Sequence, residues 1–379
     1  MHTLLSAGQL GRDLSVRDLT DPAEGPHAMQ LITTRAVRAL ARRWACQVRW
    51  SRGGRVVPVA DNYDLLGYRP SDVTREARYS RYIDARRMLR SHATALVPPA
   101  LRRLAARPAE DVLIACPGLV YRRDAIDRLH TGTPHQLDLW RVTRRRPAMA
   151  PHDLAEMIQV LLAALLPGAR YRLEERIHPY TRSGQQIDVY HHGEWIEIGE
   201  AGLASAGVLR RAGLDGSCSG LALGVGLDRL LMLIKDIPDI RLLRSADPRV
   251  TAQMLDLTPY SAVSALPAVS RDLSVAVRAG DLAEDLGDRV RTALGEDAAC
   301  VESVQILARI PCATLPARAL TRLGAAAGQD NLLVRVVLRD LERTLTDRDA
   351  NLLRDRIYAA IHQGSAHQWA HAGEPRRAG

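Results

Sequence analysis

Apolar positions recur with a helical period over residues 27–45, where Ala28, Leu31, Ile32, Val37, Leu40, Ala41 and Trp44 are spaced for one buried face. Helices are likewise expected near 96–106 and over 153–166, the second stopped by Pro167-Gly168. Other stretches are strand-like: Gln47–Trp50 and Arg55–Val59 joined by Gly53-Gly54, then 111–123 and 134–142 as a long hairpin with loop 124–133, then 170–177, 185–191 and 194–199. Residues 219–233 read as a strand, a Gly224-x-Gly226 turn and a helix with Arg229 in its first turn. Residues 1–25 read as an N-terminal extension, and 62–90 as polar, Tyr-rich and irregular. Past a linker at 246–265 the pattern restarts: strand Asp272–Val277, helix 281–294, strands 301–310 and 332–339, helix 346–363 and a short strand at 367–370. That β-α-β-β-α-β order predicts a ferredoxin-like domain over 266–370, following a first domain over 26–245. The 315–329 stretch and the 371–379 tail read as flexible. The fold class is α+β.

Composition narrows the partners. A chain of 379 residues, 46% apolar, has room for two cored domains. Its net charge of +9 favours a polyanion, nucleic acid first. Five scattered cysteines, with no C-x-x-C pair, argue against a cysteine-held structural zinc or a disulfide framework. No apolar run is long enough to span a bilayer and no secretory pattern is present, so no membrane association and a reducing, cytoplasmic setting are expected. Phe is absent while Tyr occurs ten times, a gap that base composition does not produce.

Two stretches carry chemistry. Gly224 and Gly226 let the backbone approach a ligand closely, the helix N-terminus after them favours negative charge, and Arg229 adds a full positive charge, which suits a nucleoside triphosphate. In the hairpin, strand alternation projects Arg122 with Val120 and Asp124, and points Gln136 and Asp138 together. A guanidinium grips phosphate and a carboxylate holds an ammonium, the pairing an amino-acid-activating enzyme needs.

Several segments, in order, resemble class II aminoacyl-tRNA synthetases, specifically the phenylalanyl-tRNA synthetase family. Leu89-Arg90-Ser91-His92-Ala93-Thr94 is similar to its Leu-Arg-Thr-His-Thr-Ser stretch, and Pro117–Asp124 with His135-Gln136 to its motif 2. Trp195-Ile196-Glu197-Ile198 through Ala201-Gly202, Ser219–Leu230 (motif 3) and Ile237-Pro238-Asp239-Ile240-Arg241 follow. Ser270-Arg271-Asp272 and Glu342–Asp347 resemble the ferredoxin-fold anticodon-binding domain. The resemblance implies an antiparallel sheet flanked by helices, and the single-chain layout of organellar members. It implies ATP and Mg²⁺ as cofactors, and an amino acid and tRNA, by default phenylalanine and tRNA-Phe, as partners. It implies that Arg122 binds the α-phosphate and Arg229 the γ-phosphate, with Asp124, His130, Pro134, Glu197 and Gly226 completing the ATP site. Glu197 is the candidate magnesium ligand. His92 and Thr94 would line the carboxylate side, Gln136 and Asp138 would hold the amine, and His178, Tyr180, Ala222 and Gly224 would wall the side-chain pocket. Arg271, Arg339 and Arg343 are the candidate tRNA contacts. Residues 27–60 resemble motif 1, a dimer surface in many class II enzymes, although single-chain members work alone, so monomer and homodimer both stay open.

The departures bear on the substrate. The family's Phe-Pro-Phe is His178-Pro179-Tyr180 here, its adenine-packing Phe is Pro134, and its motif 2 Glu is Asp138. Arg182 replaces an acid, Glu200 a Gly and Val97 a Gln. Other family Phe positions carry Leu, at Leu221, Leu223 and Leu243. A chain free of Phe can be synthesised when phenylalanyl-tRNA is scarce, so a specialised paralogue is expected. Three functions stay open: phenylalanine–tRNA ligation, the same chemistry on a His- or Tyr-like or non-proteinogenic amino acid, and a silent tRNA-binding relative.

Overall fold

A computed structural model describes residues 4–76, 79–263 and 266–367. The chain forms two units: the first takes residues up to 122, 133–243 and 251–260, and the second takes 123–132, 244–250 and 261 onward.

In the first unit α1 (Ala7–Ser15) is capped by Ser6 and Gln9, which exchange bonds in a capping box. The described part of the N-terminal segment, residues 4–25, is tied to the unit, because Asp18, Leu19 and Thr20 are buried. Helix α2 (Ala28–Trp44) buries Ala28, Met29, Ile32, Ala36, Val37, Leu40 and Trp44. Leu31, expected on that face, is exposed, because the buried stripe follows the i, i+3, i+4 steps from Met29. Strands β1 (Gln47–Trp50) and β2 (Val56–Pro58) enter different sheets, although the sequence suggests a linked pair. Then come α3 (Val59–Asn62), β3 (Arg81–Tyr82), β4 (Arg87–Leu89) and α4 (Val97–Ala106); β3 and β4, from the stretch expected to be irregular, form a small sheet with β2 in the order β2-β4-β3.

The main sheet adds β5 (Asp111–Leu119) and β6 (His135–Thr143), then α5 (Pro151–Leu165) crosses over to β7 (Tyr171–Glu175), β8 (Thr181–His191) and β9 (Glu194–Ala204). After α6 (Ala206–Arg211), β10 (Ser219–Gly226) runs directly into α7 (Leu227–Lys235). The strand order is β1-β5-β6-β10-β9-β8-β7; β1 and β5 are parallel and every other pair antiparallel. One face packs on α2, α5 and α7. On the other, Ile114, Cys116, Trp140 and Ala222 form a core with Leu96, Val97, Leu101 and Leu104 and with Val208 and Leu209.

Strand β5 ends at Leu119, four residues earlier than expected. Val120 still donates to the Pro134 carbonyl, but Tyr121 donates to Arg90, so the chain peels off toward the end of β4. Strands β8 and β9 run longer than expected, and register shifts between Arg182 and Gln185 and between Ile187 and Asp188 interrupt the alternation that sequence reading relies on.

Helix α8 (Pro248–Gln253) lies in the expected linker. The second unit contains β11 (Val269–Arg278), α9 (Ala283–Leu294), β12 (Val301–Pro311), α10 (Ala317–Leu323), β13 (Gln329–Leu338) and α11 (Asp347–Ile361). Its sheet has the order β11-β13-β12, all antiparallel, as in a ferredoxin-like domain. The 315–329 stretch, expected to be flexible, forms α10 and the start of β13. Of the expected last strand only His367 is described, and it is not in a strand; 368–370 and the 371–379 tail lie outside the described residues. Ile126, from the segment between β5 and β6, is buried in this unit's core.

Candidate active site

The site is built at the end of the sheet face opposite α2, α5 and α7. Gly226 caps α7 without a side chain, so the helix begins on the last residue of β10. Asp228, in the first turn, accepts from the His135 backbone N–H at 2.5 Å and lies 3.0 Å from its Nδ1. Leu19 N–H donates to His135 Nε2 at 3.1 Å, which places the ring proton on Nδ1, facing Asp228. This buried relay fixes the start of α7 to the start of β6. Arg229, one residue on, reaches β9: its Nη1 donates to the Glu197 carbonyl at 2.9 Å and lies 4.0 Å from Glu197 Oε2.

Pairings of Asp188 with Glu197 and of Gln186 with Glu200 bring both glutamates to one face, since Gln186 and Asp188 share a side and Gln186 Nε2 donates to Asp188 Oδ1 at 2.8 Å. Arg122 lies past the end of β5, its Nε donating to the Ser91 carbonyl at 3.1 Å. Its charge acts on Glu200 and on His92. The two guanidiniums expected to share a nucleotide are thus associated with two glutamates of one strand face. Beneath them Arg90 is buried and donates to the Leu119 carbonyl at 2.6 Å. Gly118 makes room for it: a Cβ there would stand 2.1 Å from Arg90 Nη2.

Gln136, Asp138 and Trp140 alternate along β6, opposite Gly226, Gly224 and Ala222 of β10. Asp138 is buried; Thr94 Oγ1 donates to its Oδ2, and Trp140 Nε1 to its Oδ1 at 2.8 Å. Burial pushes this carboxyl up to about 6, against the lowering effect of the Thr94 and Trp140 hydrogen bonds. Ala93 N–H donates to Gln136 Oε1 at 2.9 Å, which turns the Gln136 amide acceptor toward the protein. Gly224 faces Asp138 without a side chain, and a notional Cβ there would lie 3.8 Å from Asp138 Oδ2.

Aromatic rings close the pocket. His178 stacks on Tyr180 with centroids 5.1 Å apart, and Tyr180 lies 6.3 Å from Trp140 and 6.1 Å from Tyr68. His178 ion-pairs with Glu200, to which Arg176 also donates at 3.1 Å. Burial alone would raise the Glu200 carboxyl, but His178, Arg176 and Arg122 hold it below the usual range. His92 sits between Tyr63 and Tyr68; burial depresses its imidazole to about 3, and neither ring nitrogen has a hydrogen-bond partner among the described residues. The site therefore combines a neutral imidazole, three phenols and a His178–Glu200 pair.

Three further expected ATP-site residues flank the hairpin. Asp124 and His130 belong to the second unit, where the Asp124 carbonyl accepts from Arg291 Nη1 and His130 pairs with Asp127 at 2.7 Å. Their segment is held by Ile126 in that unit's core, which sequence alternation did not signal. Pro134 holds the hairpin through its carbonyl. The candidate tRNA contacts all lie in the second unit and all have acidic partners: Arg271 with Asp347 at 3.0 Å, Arg339 with Glu302 at 2.5 Å and Arg343 with Asp349 at 2.9 Å. Tyr68, Trp140 and the His135–Asp228 relay were not singled out from sequence; the i, i+2 step from Asp138 to Trp140 was the available signal.

A mainly antiparallel seven-stranded sheet, with one Arg opening the helix after β10 and another beyond the β5 hairpin arm, defines a class II synthetase catalytic core. The family described as "tRNA synthetases class II core domain (F)" matches residues 28–254, and the chain belongs to it. It is a phenylalanyl-tRNA synthetase family protein and an aminoacyl-tRNA ligase, in a class whose members use ATP and Mg²⁺. It is 26% identical over 362 residues to a probable mitochondrial phenylalanine–tRNA ligase of Drosophila melanogaster, covering 80% of this chain and 75% of that one. It is 26% identical over 317 residues to the chloroplastic/mitochondrial phenylalanine–tRNA ligase of Arabidopsis thaliana, covering 80% and 68%. With the phenylalanine–tRNA ligase alpha subunit of Nostoc punctiforme it shares 28% identity over 193 residues, covering 51% and 56%. No helix among the described residues is long and apolar enough to cross a membrane.

Proposed function

We propose that the chain activates an amino acid with ATP and transfers it to the 3′ end of a tRNA, phenylalanine and tRNA-Phe being the default pair. The observation that carries this reading is that Arg229 donates to the Glu197 carbonyl while the charge of Arg122 acts on Glu200, two glutamates of one strand face about 7 Å apart at strand rise, since they stand opposite Asp188 and Gln186. In the first step a carboxylate oxygen of the amino acid attacks the α-phosphorus of ATP in line, and the bond to pyrophosphate breaks. Arg122 takes the charge that develops on the α-phosphate, and Arg229 holds the far phosphates of the leaving group. Orientation and charge compensation supply the acceleration. The amine is held by Asp138, opposite Gly224, while His92 and Thr94 edge the carboxylate side. In the second step a ribose hydroxyl of the tRNA attacks the activated carbonyl and AMP leaves.

Glu197 suits a magnesium ligand, because its carboxylate is half exposed and only loosely approached by Arg229 at 4.0 Å. When bound, Mg²⁺ would neutralise phosphate charge. In the second unit Arg271, Arg339 and Arg343 are the proposed RNA contacts, exchanging their acidic partners for phosphates. Five free cysteines suit a reducing, cytoplasmic compartment. The absence of Phe supports a specialised paralogue that can be made without phenylalanyl-tRNA.

A second reading is favoured by the His178–Glu200 pair and Tyr180: the same ligation on an amino acid whose side chain hydrogen-bonds back, His- or Tyr-like or non-proteinogenic. ATP–pyrophosphate exchange across a panel of amino acids separates the two. Exchange led by phenylalanine supports the first and exchange led by a polar aromatic acid the second. No exchange with any acid overturns both in favour of a silent tRNA-binding relative.

A further inference from the structure

The turn between β8 and β9 and the far end of α7 bring together three side chains that the adenylation chemistry does not use. His191 ends β8, His192 and Gly193 form the two-residue turn with φ of 46° and 88°, and Glu194 opens β9 opposite His191. Positive φ at both turn residues is the type I′ pattern, which Gly193 accepts freely and which His192 adopts at some cost. Asp236 caps α7 in the left-handed region at φ 56°, its N–H bonded to the Met232 carbonyl. Two unrelated elements thus each place a non-glycine residue in a left-handed conformation and aim its side chain at the other.

His191 Nε2 lies 3.2 Å and His192 Nε2 2.7 Å from the same oxygen, Asp236 Oδ1. One potential donor atom from each of the three residues falls within 4.8 Å of the other two. Donors held tetrahedrally at zinc–nitrogen distance stand about 3.4 Å apart, so small ring rotations would seat one ion among all three. Two imidazoles and one carboxylate form a donor set for zinc, cobalt or nickel rather than for magnesium, which prefers oxygen ligands. The residues are accessible, with His192 72% and Asp236 58% exposed, so water can complete the shell.

We infer that His191, His192 and Asp236 bind one divalent transition-metal ion of the zinc type, separate from the magnesium that accompanies ATP. The ion ties the C-terminal end of α7 to the β8–β9 turn. Arg229 stands seven residues up that helix, about 10 Å away, so the ion steadies the element that presents the phosphate clamp without touching substrate.

The full chain, stripped with chelator and dialysed, is titrated with Co²⁺ and followed by visible d–d absorption, with Zn²⁺ competition and thermal melting in parallel. One Co²⁺ per chain is expected, displaced by Zn²⁺ but not by Mg²⁺, with a Zn²⁺-dependent rise in melting temperature. His192→Ala and Asp236→Asn should each weaken Co²⁺ binding at least about tenfold and abolish the Zn²⁺-dependent rise. Equal metal-free melting of wild type and variants shows that folding is intact; should Asp236→Asn melt early, the His192→Ala titration decides. Co²⁺ uptake equal in wild type and variants, or none in the wild type, overturns the inference.

Discussion

Replacing Asp138 with Asn should convert a pH-dependent amino-acid affinity into a weak, flat one. The Asp138 carboxylate is buried, receives hydrogen bonds from Thr94 and Trp140, and has its titration pushed up to about 6 by desolvation. Only the ionised form attracts an ammonium. About nine-tenths of the sites are ionised at pH 7 and about one-tenth at pH 5, so the KM for the amino acid should rise about tenfold as pH falls between them. A charge-assisted hydrogen bond to the ammonium is worth about 1.5–3 kcal/mol, so Asp138→Asn should raise KM about 10- to 150-fold at pH 8 and leave no inflection near pH 6. Folding has the opposite sign. A raised carboxyl disfavours the ionised form in the folded chain, so stability falls as pH climbs from the usual carboxylate range to about 6, and Asn should not melt earlier than Asp at pH 8. The assay is pyrophosphate exchange with saturating ATP from pH 5 to 8, alongside thermal melts. A wild-type KM that stays level through pH 6, or an Asn variant with the same inflection, refutes the assignment of Asp138 to the amine.

Exchanging both His178 and Tyr180 for Phe removes the polar wall but leaves Glu200 paired with Arg176, so the kcat/KM ratio for phenylalanine over tyrosine should rise at least about tenfold; an unchanged ratio places selectivity elsewhere. Asp228→Asn weakens a buried charged acceptor for His135 and should cost about 1.5–3 kcal/mol in urea unfolding while lowering exchange kcat, because Arg229 is the next residue; full stability and activity would contradict the relay. Gly118→Ala drives a methyl into the buried Arg90 guanidinium and should cost about 1–3 kcal/mol, read in the same unfolding assay; a neutral result would mean that Arg90 can move aside.

Much of the site was legible because it is local. The Gly224-x-Gly226 turn into a helix bearing Arg229, and the alternation that points Gln136 and Asp138 the same way, follow from strand and turn chemistry and are present in the fold. What was not legible depends on distant pairing. Register shifts in β8 and β9 carry Glu197 and Glu200 to one face, whereas simple alternation would separate residues three apart. The ion pair of His178 with Glu200, and the bonds of His135 with Asp228 and Leu19, join residues that sequence periodicity does not relate. Asp124 and His130 follow Arg122 in sequence, yet Ile126 anchors their segment in the second unit's core. Glu200 looked like the loss of a glycine; beside His178 and Arg176 it is a charged part of the pocket wall.

The most direct measurement is amino-acid-dependent ATP–pyrophosphate exchange in the wild-type chain and in Arg122→Ala and Arg229→Ala. The account predicts exchange in the wild type and a loss of roughly 10²–10³-fold in kcat/KM for each variant. Exchange that persists at the wild-type rate when either guanidinium is gone would contradict it.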